Sequence, residues 1–76
     1  MAGEAQVSRA FHKKLYVLQA IEDALEAYAD FASMALDKGG DVWTVAFSDV
    51  DEDFEAETLA SEFSNYVLAG TIERKR

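Results

Sequence analysis

The chain has 76 residues, and its 7 Lys+Arg against 15 Asp+Glu give a formal charge of −8. That balance disfavours a nucleic-acid binder, which needs clustered cations to replace the counterions on phosphate, and it offers nothing to an anionic membrane surface. Zero Cys excludes a disulfide framework, thiolate zinc and iron–sulfur sites and a cysteine nucleophile, and one His excludes a His-rich metal site.

Half of the residues are hydrophobic, with one Trp, three Tyr and five Phe among them, which is enough core material to fold without staples. The length allows a single domain over residues 1–76, with an ordered core at about 6–70 and short flexible termini. Domains this small bury only ~60% of their unfolded surface, so many of them look to a partner to cover the rest. No apolar stretch approaches the ~20 residues that cross a bilayer, and residues 1–9 contain no hydrophobic targeting core, so the expected compartment is the cytoplasm.

Residues 6–14 set Val7 and Phe11 on one side of an extended segment, with Arg9 interrupting the alternation, which reads as an edge strand. Over residues 17–30, Leu18, Ile21, Leu25 and Tyr28 fall at spacings of three, four and three, broadened by Ala20, Ala24 and Ala27. That is an amphipathic helix, with Glu22, Asp23, Glu26 and Asp30 on its wet face. The period then drops to two. Ala32, Met34 and Leu36 alternate with Ser33, Ala35 and Asp37, the stretch 37–40 offers two glycines for a turn, and Trp43, Val45 and Phe47 resume the alternation. These segments read as a hairpin. After the acidic turn 49–53, Ala56, Leu59, Ala60, Phe63 and Val67 again follow helical spacing, and Gly70 is expected to weaken or end that helix.

The order is βαββα, and two helical stripes cover one face of a three-stranded sheet in a two-layer α+β domain. If the first strand pairs with the Trp43 strand, the latter is central, an arrangement that a right-handed crossover through the first helix permits. With both helices on one face, the other is left open and carries small residues from the set Ser8, Ala10, His12, Ser33, Ala35, Val42, Thr44 and Ala46. Such a face suits a partner or a second copy of the chain.

Six carboxylates fall between Asp49 and Glu57 with no basic residue among them. Asp49, Asp51 and Asp53 copy the first three ligand positions of a calcium-binding EF-hand loop, but Phe54 stands where that loop requires Gly and Ala60 where it requires a bidentate Glu. The run therefore reads as a helix start, with Asp51 or Asp53 capping and Glu55 and Glu57 favoured by the helix dipole. The basic run 74–76 mirrors it at the other end. His12, flanked by Lys13 and Lys14, has no orienting carboxylate or nucleophile in its sequence neighbourhood and reads as a solvent-facing strand residue. Nucleophile-elbow and phosphate-loop patterns are missing, so neither an enzyme nor a cofactor or metal is expected. The aromatic residues Tyr28, Phe31, Trp43, Phe47, Phe54, Phe63 and Tyr66 would be a stacking platform on a basic protein; on this acidic one they read as core, with Tyr16 and Tyr66 showing a hydroxyl at the surface.

Phe11-x-x-x-Leu15-Tyr16-x-x-x-Ala20-Ile21, the helix ending Ala27-Tyr28-x-x-Phe31-Ala32, a short hairpin, and Glu62-Phe63-x-Asn65-x-x-Leu68 followed by Arg74 together resemble the HxsD family. This is the small D component of the His-Xaa-Ser peptide-modification systems, and the likeness spans residues 11–74. The resemblance implies an accessory protein that works beside iron–sulfur radical enzymes during maturation of a ribosomally made peptide. It also draws attention to Asn65, a polar residue in mid-helix that can bond a neighbouring backbone or mark a contact surface. The expected function is a non-enzymatic module that binds a peptide or partner protein through Ala10, His12, Ala35, Thr44 and Asn65, by strand addition or by docking on the open face. The alternative is a small homodimer that closes this face on its own copy.

Overall fold

The computed structural model describes residues 6–75; residues 1–5 and 76, which hold the expected flexible ends and Arg76, lie outside the described residues. The elements run β1 (Val7–His12), α1 (Leu18–Ala27), β2 (Ser33–Asp37), β3 (Val42–Ser48) and α2 (Ala56–Lys75), the βαββα order read from the sequence. The strands form one antiparallel sheet in the order β1-β3-β2, with the Trp43 strand in the centre and β1 and β2 as its edges.

Period-two alternation sorts the side chains onto two faces. One face carries the rows Val7–Phe47–Met34, Arg9–Val45–Leu36 and Phe11–Trp43. Phe11, Val45 and Phe47 in these rows are buried, and the other apolar members pack against the same core. Both helices cover this face. α1 contributes Ala20, Ile21 and Ala24, and α2 contributes Leu59, Ala60, Phe63, Val67 and Thr71. Phe63 lies at the meeting point of the layers, with ring centroids 6.0 Å from Phe11, 5.8 Å from Tyr28 and 5.1 Å from Phe47. Arg9, which broke the apolar pattern of β1, turns toward the helices all the same, and its guanidinium meets Glu57 in the first turn of α2 at 2.9 Å.

Three local expectations need correction. α1 stops at Ala27 rather than running to residue 30, because only five residues separate it from β2 and the chain must reverse there. The turn is closed by the Tyr28 N–H on the Ala24 carbonyl and the Phe31 N–H on the Tyr28 carbonyl. Gly70 does not end α2, which continues to Lys75. Its missing side chain serves the packing of the two helices: a Cβ at residue 70 would stand 3.1 Å from the Cβ of Ala20 on α1. Neither Asp51 nor Asp53 caps α2. Asp51 accepts the Asp53 N–H through Oδ1 at 2.9 Å, closing a turn that precedes the helix, and the helical ladder begins with the Leu59 N–H on the Glu55 carbonyl.

Candidate functional site: an open sheet face and an aromatic groove

The sheet face turned away from the helices carries the rows Ser33–Ser48, Ser8–Ala46–Ala35, Ala10–Thr44–Asp37 and His12–Val42. Ser8, Ala10, His12, Ser33, Ala35 and Asp37 on the edge strands are exposed, and Val42, Thr44, Ala46 and Ser48 on the central strand are partly so. Asp37 is the only carboxylate in these rows, so a molecule with 15 acidic residues keeps this surface almost free of charge. Of the residues singled out from the sequence, Ala10, His12, Ala35 and Thr44 come together here, and Ala10 lies directly across from Thr44. Asn65 does not join them. It is exposed on α2, in the opposite layer and off the buried stripe of that helix.

The edges of the sheet differ in what they offer. Lys13 donates its N–H to the Asp41 carbonyl at 3.1 Å, which makes 13/41 a hydrogen-bonded pair. Because bonded and non-bonded pairs alternate in an antiparallel ladder, Val7, Arg9 and Phe11 spend their backbone groups on β3, while those of Ser8, Ala10 and His12 point outward. β1 thus turns the N–H groups of Ser8, Ala10 and His12 outward. The Ser8 carbonyl, however, accepts from Arg9 Nη1 at 3.0 Å and the His12 carbonyl from the Leu15 and Tyr16 N–H groups at 3.0 Å, so the template for an added strand centres on Ala10. At the end of this edge the chain turns basic. His12, Lys13, Lys14 and Asp41 enclose a concavity of about 240 Å³, Lys13 donates to the Lys38 carbonyl at 2.7 Å, and its ammonium lies 5.7 Å from the Trp43 ring centre. His12 accepts the Lys14 N–H at 3.4 Å through Nδ1.

On the helical side lies a feature that sequence reasoning missed. Tyr28, Phe31, Phe54, Leu59, Glu62 and Tyr66 line a groove of about 360 Å³ between the end of α1, the segment leading into α2, and α2 itself. Tyr28 and Phe31 pack on the core, but Phe54 is 38% and Tyr66 42% exposed, which corrects their assignment to the interior. Of the two tyrosines expected to be core rings with a surface hydroxyl, Tyr66 is exposed as a whole and Tyr16 is half-buried, edge-on to Phe11 at 5.3 Å. Burial, and then the neighbouring charges of Glu62 and Tyr66, push the Tyr28 phenol above its ordinary pKa. The four rings come from three chain segments, 28–31, 54 and 66, and no spacing rule links them.

The acidic run sits beside this groove. Asp51 closes its own turn and Glu57 pairs with Arg9, so these two carboxylates act in local structure, while Asp49 contributes a backbone turn at φ 50°. At the other end of α2, Arg74 bonds Asp23 of α1 at 2.7 Å and Lys75 donates to the Leu15 carbonyl at 3.1 Å. The Arg74 bond, and then that from Gln19, hold the Asp23 carboxyl below the usual carboxylate range.

Fold and surfaces together define a small two-layer α+β domain with one uncovered sheet face. Comparison with family models, with curated proteins and with solved structures finds no match. No helix among the described residues is long and apolar enough to cross a membrane.

Proposed function

We propose that the chain is a non-enzymatic interaction module that binds a peptide or a partner protein on its open sheet face and along the β1 edge. The observation that carries this reading is the nearly uncharged face of Ser8, Ala10, Ala35, Val42, Thr44 and Ala46 on a chain of charge −8. A face built only to meet water would carry the Glu and Lys that cover the rest of the molecule, whereas small residues let another backbone or sheet approach closely. The outward N–H groups of Ser8, Ala10 and His12, with the Ala10 carbonyl, supply main-chain bonds for a short extended segment. The resemblance to the HxsD family narrows the partner to a radical enzyme of peptide maturation or its precursor peptide, in the cytoplasm. The competing reading is a homodimer closed on the same face.

Affinity capture of the tagged protein from its own host, followed by mass spectrometry, tests this reading when done in parallel with Ala35→Lys and Thr44→Lys. A Lys in the middle of the face is expected to abolish capture while unfolding stays cooperative, because a buried unpaired ammonium costs several kcal/mol. Capture that survives both substitutions removes the open face from consideration. Light scattering at twice the chain's 8.4 kDa, lost in the same variants, favours the homodimer.

A further inference from the structure

We propose that the groove between the end of α1 and α2 binds an arginine side chain presented by a peptide or protein partner. The proposal rests on the interaction-module reading for the source of the arginine, while the chemistry of the groove is independent of the open sheet face.

The rings are the first argument. Phe11, Phe47 and Phe63 are almost completely buried, so this domain has room to sequester phenyl rings, yet Phe54 and Tyr66 remain more than a third exposed on the walls of one groove. Their neighbours meet them edge to face, Tyr28 on Tyr66 at 5.8 Å and 87°, and Phe31 on Phe54 at 5.1 Å and 61°. Rings interlocked this way are held in place, and an aromatic wall attracts a cation wherever the negative potential of a ring face is reached.

Charge is the second argument. Glu62 lines the groove, and the two salt bridges among the described residues, Arg9–Glu57 and Arg74–Asp23, leave it without a cation. Phe54 is itself bracketed by Asp53 and Glu55, and no Lys or Arg lines the cavity. Such a site repels anions and gives a neutral aromatic ligand no charge partner. A cation gains from both the rings and the carboxylate.

Shape selects among cations. A guanidinium is planar, stacks flat on an aromatic ring, sheds its water more readily than an ammonium and offers a two-pronged donor fork to a carboxylate. A groove of about 360 Å³ admits that head and part of its stem.

The test is a titration of the full chain, followed by amide NMR shifts, with acetylated and amidated Gly-Arg-Gly, its citrulline counterpart and Gly-Lys-Gly. The arginine peptide is expected to produce saturating shifts at Tyr28, Phe31, Phe54, Glu62 and Tyr66, with citrulline weaker by about tenfold and lysine between them. Phe54→Ala, which leaves the net charge alone, and Glu62→Gln, which keeps the shape, should each weaken binding by about fivefold. Glu52→Gln removes the same single charge outside the groove and should change it by less than about twofold. Equal binding of citrulline, shifts centred elsewhere, or equal losses in Glu52→Gln and Glu62→Gln would overturn the site. Equal binding of the lysine peptide would overturn the choice of arginine. Failure here with capture still sensitive to Ala35→Lys leaves the interaction module standing without this groove.

Discussion

Gly70 and Phe63 occupy the same helix and carry opposite lessons. Phe63 is legible in the sequence, since it falls at the helical spacing of Leu59, Ala60 and Val67, and a large ring on that stripe has only the core to enter. Gly70 is not. Local propensity disfavours it in a helix interior by about 1 kcal/mol relative to Ala, and so it reads as a terminator until the position of α1 is known. The Ala20 methyl has no rotamer by which to retreat from a Cβ 3.1 Å away, so Gly70→Ala asks the backbones of α1 and α2 to give by a few tenths of an ångström. Gly70→Ala is therefore expected to lower stability by about 1 kcal/mol despite its better propensity, as read by urea unfolding. A gain in stability would show that α1 and α2 can separate freely.

At the scale of elements, the hairpin needs local chemistry alone, whereas the helix ends depend on the rest of the fold. Gly40 adopts φ 76° in open space, and Asp37 accepts the Gly39 N–H at 2.9 Å to close the same turn. Gly40→Ala is thus expected to cost about 1–2 kcal/mol in thermal or urea unfolding, by the left-handed penalty alone. Gly39→Ala, with no positive φ and only the flexible Asp37 carboxylate near its new methyl at 3.3 Å, should cost clearly less. Equal losses would place the strain elsewhere in the turn. The start of α1 shows the contrary situation. Val17 at its N-cap makes no side-chain capping bond, and its own N–H is satisfied by Oγ1 of Thr71, buried on α2 and 54 positions away. The acidic segment before α2 likewise reads as a cap by composition. Its Asp51 is instead consumed by the turn that lets Phe54 reach Phe31.

For the whole molecule, two titrations join the helical layer to pH, with opposite signs. Asp23 has a lowered pKa, so the contribution of its bond to Arg74 is complete above the ordinary carboxylate value of ~3.9 and is lost as pH falls through the lowered one. Tyr28 has a raised pKa, so its contribution is complete below the ordinary phenol value of ~10 and is lost as pH rises through the raised one. Urea midpoints recorded across pH should fall less at the acid end in Asp23→Asn and less at the alkaline end in Tyr28→Phe, each relative to the parent chain. Asp23 and Arg74 are both about half-exposed, so the acid difference should also shrink in high salt. An acid limb identical in Asp23→Asn and parent would show that the Arg74 bond does not hold in solution.

Most of the architecture follows from periodicity, because burial against a single opposite layer forces apolar residues to recur every two positions in a strand and every three or four in a helix. Element order, the sheet face that stays open and the residues Ala10, His12, Ala35 and Thr44 upon it are determined in this way by the sequence itself. Long-range contacts decided the remainder: the helical continuation through Gly70, the placement of Asn65 in the layer opposite the other four, and the joining of Tyr28, Phe31, Phe54 and Tyr66 around one cavity. No period connects residues on three separate segments, and their proximity comes from how α1 and α2 pack over the sheet.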